Sequence, residues 1–431
     1  MPIDSRGLRR MARRVTQSLP EGWLPQPVKD FRREVMLAIV WVWRRLMFRT
    51  TFIVISGSVG KSTCKETIGL VLGSRFRTIR TQGGSNHYKG ALTTTLRVRP
   101  WHRFAVLEIG ITAPGQMVRF ARALRPDVAV LTSVARTHTM NFKSLETTAH
   151  EKSRLVEGVR PGGLAILNDD NPWLAAYDPP PSVRVLRYGN TARSVMSVSD
   201  VRSSWPERLT FTAVPREGEP VTISTRYVGK HWVGSLLPSL IVAKEAGMSM
   251  TEAAEALAKC EPMERRLSPV AMANGATILR DELNGSVDTL SAALKVFEEA
   301  TAKRKMIVFT DVSDSSQKPR TRVRDVGKTA ARIADAAIFL GEHGEHGARA
   351  AVLGGMSPDQ VWSFINVEDG ARQLKQELRE GDLVLLRGRR VDHLARVYLA
   401  LTQEVTCWRN LCPKSIQCEK CRFLDAKRPV A

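Results

Sequence analysis

The chain has no apolar core and no small-residue cleavage site in its opening "MPIDSRGLRRMARRVTQSLP", so nothing there reads as a secretion signal. Its leader carries an apolar stretch, "VMLAIVWVW" (Val35 to Trp43), but a bilayer-spanning helix needs roughly 20 such residues. It has no basic motif interleaved with aromatic residues, which removes nucleic acid as the expected partner. Internal repeats and long low-complexity linkers are absent too. Acidic residues are in deficit: 65 Lys and Arg stand against 43 Asp and Glu, a net charge of +22. Such an excess favours anionic partners, among them nucleotides, acidic polymers and lipid surfaces. The expected location is the cytoplasm, with peripheral membrane contact through the leader.

What is present suits a globular protein. The 431 residues are enough for two or three domains, and 43% hydrophobic with 25% charged content argues against wholesale disorder. Residues 1–48 form a basic, partly helical leader. Its "VMLAIVWVW" stretch is flanked by Arg32, Arg33, Arg44 and Arg45, and two readings stay open: a buried helix packing on the next domain, or a helix lying in a membrane interface. From Thr51 the pattern changes. "TFIVISG", "FAVLEIG", "DVAVLTSV" and "GLAILNDD" read as buried strands with helical stretches between them. That alternation predicts an α/β fold with a mostly parallel sheet covered on both faces. Residues 195–227 read as an antiparallel edge section, and the segment after Gly234 as helical. A second alternation begins near Ser268, with "ATILRDE", "KMIVFTDV", "AAIFLG" and "DLVLLRG" as strands. The expected domains are therefore a central P-loop ATPase domain (49–267), a C-terminal Rossmann-like α/β domain (268–405) and a cysteine-rich tail (406–431).

"VISGSVGKSTCKET" (Val54 to Thr67) reads as a strand, a glycine loop and the start of a helix. Backbone N–H groups and the positive end of the helix would face a phosphate there. Gly57, Ser58 and Gly60 would shape the turn, Lys61 would reach the terminal phosphates, and Ser62 with Thr63 would offer hydroxyls, Ser62 to Mg²⁺. The longer Walker pattern wants a glycine where Ile55 stands. The plain alternative is a glycine turn before a helix that happens to carry lysine.

Taken in order along residues 51–402, the motifs resemble the Mur ligase family of ATP-dependent amide ligases, and within it the branch that adds D-alanyl-D-alanine in peptidoglycan synthesis. "GSVGKST" is similar to the family's short loop. "SNHYKG" is similar to its Asn-rich segment, with Asn86 kept and His87 in place of another Asn. "LEIG" carries Glu108 at the family's metal-binding Glu. The fourteen-residue step from His138 to Lys152 matches the family's metal-ligand His and carbamylated Lys. "RDELNGSVDT" is similar to its ribose-binding segment, with Asp281 and Asn284 at matching positions. "MERRL" stands where the family has an Arg that touches the γ-phosphate, which leaves Arg265 and Arg266 both open. "GDLVLLRG" has Arg387 where the family has Lys. The resemblance implies ATP and Mg²⁺ as cofactors, and a carboxylate and an amine as substrates. It implies Lys61, Lys152, His138 and Arg266 as catalytic groups, and Ser62, Glu108, His138 and Lys152 at metal ions.

Read without the name, the chemistry is consistent. Amide formation driven by ATP first makes an acyl phosphate, which an amine then attacks. Charge builds on the transferring phosphoryl group, so fixed cations and Mg²⁺ are needed. The chain also departs from the family. The family's N-terminal domain, which grips a UDP-linked substrate, has no counterpart before the loop, so a UDP-muramyl substrate is not the expectation. Trp232 and Ser235 replace two adenine-binding asparagines. Cys407, Cys412, Cys418 and Cys421 form a tail outside the family pattern, either a Zn²⁺ or iron–sulfur site or four reduced thiols. Cys64 and Cys260 stand alone and are expected to be buried or semi-buried. His343 and His346 read as a polar loop, and Thr310 with Asp311 as the end of a strand facing the cleft. Two other function classes remain in view: an ATP-binding scaffold for a polymer-assembly complex, and a P-loop phosphotransferase acting on a small alcohol.

Overall fold

The computed structural model describes residues 26–83, 88–135, 142, 144–283, 285–313, 315, 317–409, 412, 417–421, 423 and 424. They fall into two compact units. The first contains the chain up to Val134, Ser144–Met196 and Leu237–Ala253; the second contains Ser197–Leu236 and the chain from Ala254 onward.

The strands of the first unit are β1 (Thr51–Ser56), β2 (Thr78–Arg80), β3 (Phe104–Glu108), β4 (Val128–Leu131), β5 (Leu164–Asn168) and β6 (Arg184–Tyr188). They lie side by side in the order β2-β3-β1-β4-β5-β6, all parallel. β3 is buried along its whole length and β1 along all but its first residue, as strands covered on both faces must be. Register brings Ile55 beside Glu108 and Ser56 beside Leu131, so the carboxyl ends of three central strands meet at one edge. The chain that follows such an edge is where an open parallel sheet holds its ligands.

Helices α1 (Gln26–Leu46), α2 (Lys61–Gly73), α3 (Tyr88–Arg97), α4 (Gln116–Leu124) and α5 (Leu145–Glu157) belong to this unit, with a single turn, α6 (Pro172–Ala175). α1 packs on α3 and α4. Met36, Leu37, Val40 and Arg44 recur at helical spacing and are buried on that face. Arg44 fixes the helix: it donates to Leu124 O at 2.9 Å, Arg125 O at 3.1 Å and Asp127 Oδ2 at 2.8 Å. Thus one face of the apolar leader helix packs on the unit, as the first of the two sequence readings has it. No helix among the described residues is long and apolar enough to cross a membrane.

The helical stretch after Gly234 is two helices, α7 (Val233–Glu245) and α8 (Met250–Ala258), because Gly247 takes a left-handed turn (φ 84°) between them. In the second unit β8 (Thr210–Pro215) and β9 (Val221–Ser224) pair antiparallel after β7 (Met196–Arg202), as the alternation of residues 195–227 predicts. The main sheet comprises β10 (Ser268–Ala271), β11 (Thr277–Asp281), β12 (Arg304–Phe309), β13 (Ala336–Leu340), β14 (Val361–Phe364) and β15 (Asp382–Arg387) in the order β10-β11-β15-β12-β13-β14. Only the edge strand β10 is antiparallel. Helices α9 (Val287–Glu299), α10 (Pro319–Ile333), α11 (Gly344–Leu353), α12 (Val367–Glu377) and α13 (Ala395–Ala400) complete the unit. The short strands β2, β6 and β14 carry too little apolar pattern to stand out in the sequence.

Candidate nucleotide and ligation site

The glycine loop lies between the carboxyl end of β1 and the start of α2. Gly57 (φ 150°) leaves no room for a side chain, since a Cβ there would sit 2.1 Å from Thr132 Oγ1. Gly60 (φ 86°) caps α2 and offers no side chain to the helix's first N–H groups. An uncapped helix start with its positive dipole end is an anion site. The loop itself is less open than the sequence predicts. Ser58 N donates to Ser133 O at 2.7 Å and Val59 N to Ser133 Oγ at 3.0 Å, while Thr132 Oγ1 donates to Val59 O at 2.6 Å. Thr132 and Ser133, at the end of β4, thus brace the loop, and no motif in the sequence marks them.

Four of the expected residues, Lys61, Ser62, Glu108 and Lys152, meet at this loop. Ser62 Oγ donates to Glu108 Oε1 at 2.8 Å, joining the first turn of α2 to the end of β3. The other carboxylate oxygen, Glu108 Oε2, is buried and has no hydrogen-bond partner among the described residues, and neither has Thr63 Oγ1. A buried carboxylate oxygen with no donor is costly unless a cation meets it. The oxygen donors of Ser62 and Glu108 are those a hard divalent cation prefers, so the pair fits Mg²⁺. Lys61 Nζ folds back onto Ser58 O at 2.9 Å. Lys152, on α5 and only 3% exposed, donates from Nζ to Gly57 O at 2.9 Å. Burial, and then the charge of Lys61, hold its pKa well below that of an ordinary lysine; Glu151 beside it acts the other way. Cys64 is buried within α2, as expected, and burial pushes its thiol pKa far up. Asn86 and His138 lie outside the described residues.

The second unit places Asp281 at the end of β11. Its Oδ2 pairs with Arg387 and its Oδ1 accepts from Leu267 N at 3.1 Å. Burial lifts its pKa to about 6, against the pull of Arg387. Arg387, fully buried, also donates to Ser286 O at 3.0 Å and to Thr289 Oγ1 at 2.7 Å. Arginine in place of the family's lysine is therefore a multi-point clamp rather than a point charge. Arg387→Ala is expected to destabilise the protein by about 3–5 kcal/mol, because Asp281 is left as an uncompensated buried charge. Urea unfolding measures this, and Asp281→Asn on the same background should restore part of the loss. A cost below ~1 kcal/mol would mean that the pair contributes little.

Arg265 is buried with a left-handed backbone (φ 63°), and its Nε and one terminal nitrogen have no hydrogen-bond partner among the described residues. Arg266 is half-buried, and its charge acts on Asp281. Beside Arg265, Arg280 bonds Glu282 and Glu419 Oε1, the latter at 2.6 Å, and Glu419 stands 4.0 Å from Arg265 Nε. Burial raises Glu282 to about 7. Glu419 belongs to the cysteine tail, 139 residues along the chain from Arg280, so no local pattern could have revealed the contact. Asn284 lies outside the described residues.

The tail is docked through His393, whose Nδ1 lies 3.0 Å from Cys418 Sγ, and through a small cluster of Ala395, Leu399, Val405, Cys418 and Leu424. All four tail cysteines are free thiols, and burial pushes Cys418 up to about 11. Among the described residues, which include all four, no group of three or more His, Cys, Asp or Glu gathers to hold a metal ion. The contacts described for the tail are apolar and hydrogen-bonded. Cys260 is buried, as expected.

Thr310 and Asp311 line a cavity of about 520 Å³ within the second unit, together with Arg322, His343, Arg389 and Asp392. Asp311 is held by Arg322, whose Nη2 lies at 2.6 Å, and Thr310 donates to Asp392 at 2.6 Å. His343 stands in the turn before α11 and lines this wall, while His346 lies on α11 rather than in a loop. Trp232 is buried against His231 and Tyr227, with ring centroids 4.6 and 5.9 Å away.

The chain matches the model of the Mur ligase middle domain over residues 55–243 and that of the Mur ligase, glutamate ligase domain over residues 265–390, together well over half its length. It is 28% identical over 345 residues to the UDP-N-acetylmuramoyl-tripeptide–D-alanyl-D-alanine ligase of Bacillus subtilis, covering 79% of this chain and 73% of that protein. To the Escherichia coli protein of the same name it is 26% identical over 391 residues, covering 89% and 84%. Among solved structures, MurF from Acinetobacter baumannii superposes with a TM-score of 0.77 at 20% identity, covering 86% of this chain and 80% of that one. MurF from Thermotoga maritima, solved in complex with ADP, gives a TM-score of 0.74 at 18% identity, covering 86% and 83%.

Proposed function

Because the chain belongs to the Mur ligase family of ATP-dependent, ADP-forming amide ligases, we propose that it joins a carboxylate to the amine of an amino acid or peptide through an acyl phosphate, with the loop of Gly57–Ser62 at its centre. The observation that carries this reading is the Ser62–Glu108 pair with its partnerless buried oxygen, set at the uncapped start of α2 beside Lys61 and Lys152.

In the first step a donor carboxylate oxygen forms a bond to the γ-phosphorus of ATP as the bond to the β-phosphate oxygen breaks, releasing ADP. In the second, the amine nitrogen attacks the acyl carbon, the C–N bond forms, phosphate leaves and one proton is lost. Lys61 and the first turn of α2 bind and orient the phosphates, and the buried setting strengthens both. Ser62 and Glu108 would hold Mg²⁺, which supplies charge neutralisation on the phosphate oxygens. For Arg265 the family resemblance implies a phosphate contact; its Nε and one terminal nitrogen have no hydrogen-bond partner among the described residues, and Glu419 faces it at 4.0 Å. For Asp281 the family resemblance implies a ribose hydroxyl as ligand; within its own unit the carboxylate is held by Arg387 and by Leu267 N.

Lys152 fits the carbamate that the family resemblance implies. Carbon dioxide reacts only with a neutral amine, and burial beside Lys61 favours that form. The neutral amine nitrogen bonds to the carbon of carbon dioxide and loses one proton, which leaves a carbamate anion next to Lys61.

The named relatives supply the first substrate pair to test, a UDP-N-acetylmuramoyl-tripeptide with D-alanyl-D-alanine, followed by pools of other carboxylates and amines. Purified protein with Mg-ATP is expected to release ADP and phosphate only when both substrate types are present, with one ADP per amide formed. Nucleotide binding without turnover in any pool would instead support the scaffold reading.

A further inference from the structure

We propose that the outward face of α1, with the adjoining turns at residues 48–49 and 99–103, is a docking surface for an anionic lipid bilayer. The surface lies within the first unit and is independent of the ligase chemistry. α1 is apolar on two faces. One is the buried face of Met36, Leu37, Val40 and Arg44. On the opposite side Val28, Phe31, Val35, Ala38 and Val42 follow one another at steps of three and four, one stripe along the helix. Phe31 is 71% exposed, and Val28 and Val42 are close to half exposed. A single exposed apolar residue is ordinary, but a stripe of them on a helix rooted in the fold calls for a partner.

The carboxyl end of α1 extends the stripe. Phe48 is 79% exposed and Trp101 59% exposed. The two lie on neighbouring turns, since Thr50 Oγ1 donates to His102 O at 2.8 Å and Thr51 N to Arg103 O at 2.9 Å. Trp41 is exposed beside the stripe, with the Arg45 guanidinium stacked 3.6 Å from its ring centroid. Arg49 and Arg103 are exposed at the same end.

Charge decides which partner fits. The acids of α1, Asp30 and Glu34, are taken up by Arg33 and Arg119, so guanidinium groups dominate the rim. Upstream, the sequence adds Arg6, Arg9, Arg10, Arg13 and Arg14. A second copy of the chain would bring these like charges together. A surface of anionic headgroups over acyl chains meets both needs: arginine reaches the phosphates, aromatic rings sit at the headgroup level, and the stripe enters the acyl boundary.

The test is co-sedimentation of the full-length protein with vesicles of equal parts phosphatidylglycerol and phosphatidylcholine, against phosphatidylcholine alone, with sedimentation velocity in the absence of lipid. The anionic vesicles should bind the protein at least about tenfold more tightly than the neutral ones, and high salt should weaken binding. Phe31→Ser with Val42→Ser and Phe48→Ser should abolish binding, and Arg45→Gln with Arg49→Gln should weaken it roughly tenfold. All five positions are at least partly exposed, and an unchanged thermal transition verifies the fold. Three results would overturn the proposal: no binding to either vesicle, binding that survives the apolar substitutions, or a dimer that those substitutions dissociate without any lipid binding.

Discussion

ADP formation by Lys152→Ala is expected to fall about 10²–10³-fold, the size of loss that follows removal of one fixed group facing transition-state charge. Lys152 is enclosed, touches the glycine loop at Gly57 O and has its pKa depressed by burial and by Lys61. As an ammonium it would add a second cation to a crowded interior. As a carbamate it balances Lys61. Three further outcomes follow from this. Wild-type activity should drop in bicarbonate-free buffer and return when bicarbonate is restored, and the alanine variant should be indifferent to it. Lys152→Arg keeps a donor for Gly57 O but forms no carbamate, so it should be as inactive as alanine. Lowering the pH at fixed bicarbonate refills the ammonium form and should reduce activity, starting from a lower pH than an ordinary lysine would give. ADP release across these buffers is the measurement. Full activity in Lys152→Arg would reduce Lys152 to a brace for the loop.

The second large effect is at Glu108. Glu108→Gln keeps the shape and an acceptor for Ser62 Oγ, so the fold should survive, but it removes the buried negative charge beside the phosphates. Turnover should fall by about 10²–10³-fold, and the Mg²⁺ concentration for half-maximal activity should rise. Ser62→Ala should act on the same ion. The double variant should therefore be little worse than Glu108→Gln alone, because two ligands of one ion do not contribute independently. Effects that multiply in a Mg²⁺ titration would show that the two residues serve different ions.

The identity of the elements was legible in the sequence because parallel strands buried on both faces are written as short continuous apolar runs. "TFIVIS", "FAVLE" and "DLVLLR" are such runs, and each is a strand. The glycine loop was legible for a related reason: only glycine tolerates the backbone at Gly57 and Gly60, and lysine with serine follows at a fixed distance. The order of motifs along the chain carried the family. β2, β6 and β14, at three to five residues, are too short or too exposed to register.

Pairings across the chain were not legible, because packing chooses them. Glu108 meets Ser62 from 46 residues away, and only the parallel register of β1 and β3 brings them together. Ser133 closes the loop because β4 ends beside β1. Lys152 has an unusual amine only because α5 carries it into a dry interior, and a titration shift is a property of surroundings that a residue type does not encode. The tail shows the limit most clearly. Its four cysteines suggest a metal by spacing, but their geometry depends on what the chain packs against, and here that is His393, a small apolar cluster and, through Glu419, the Arg280–Glu282 pair. Composition and local pattern, then, determined the fold class, the phosphate loop and the family. Burial and long-range contact alone decided which polar atoms are left facing a ligand.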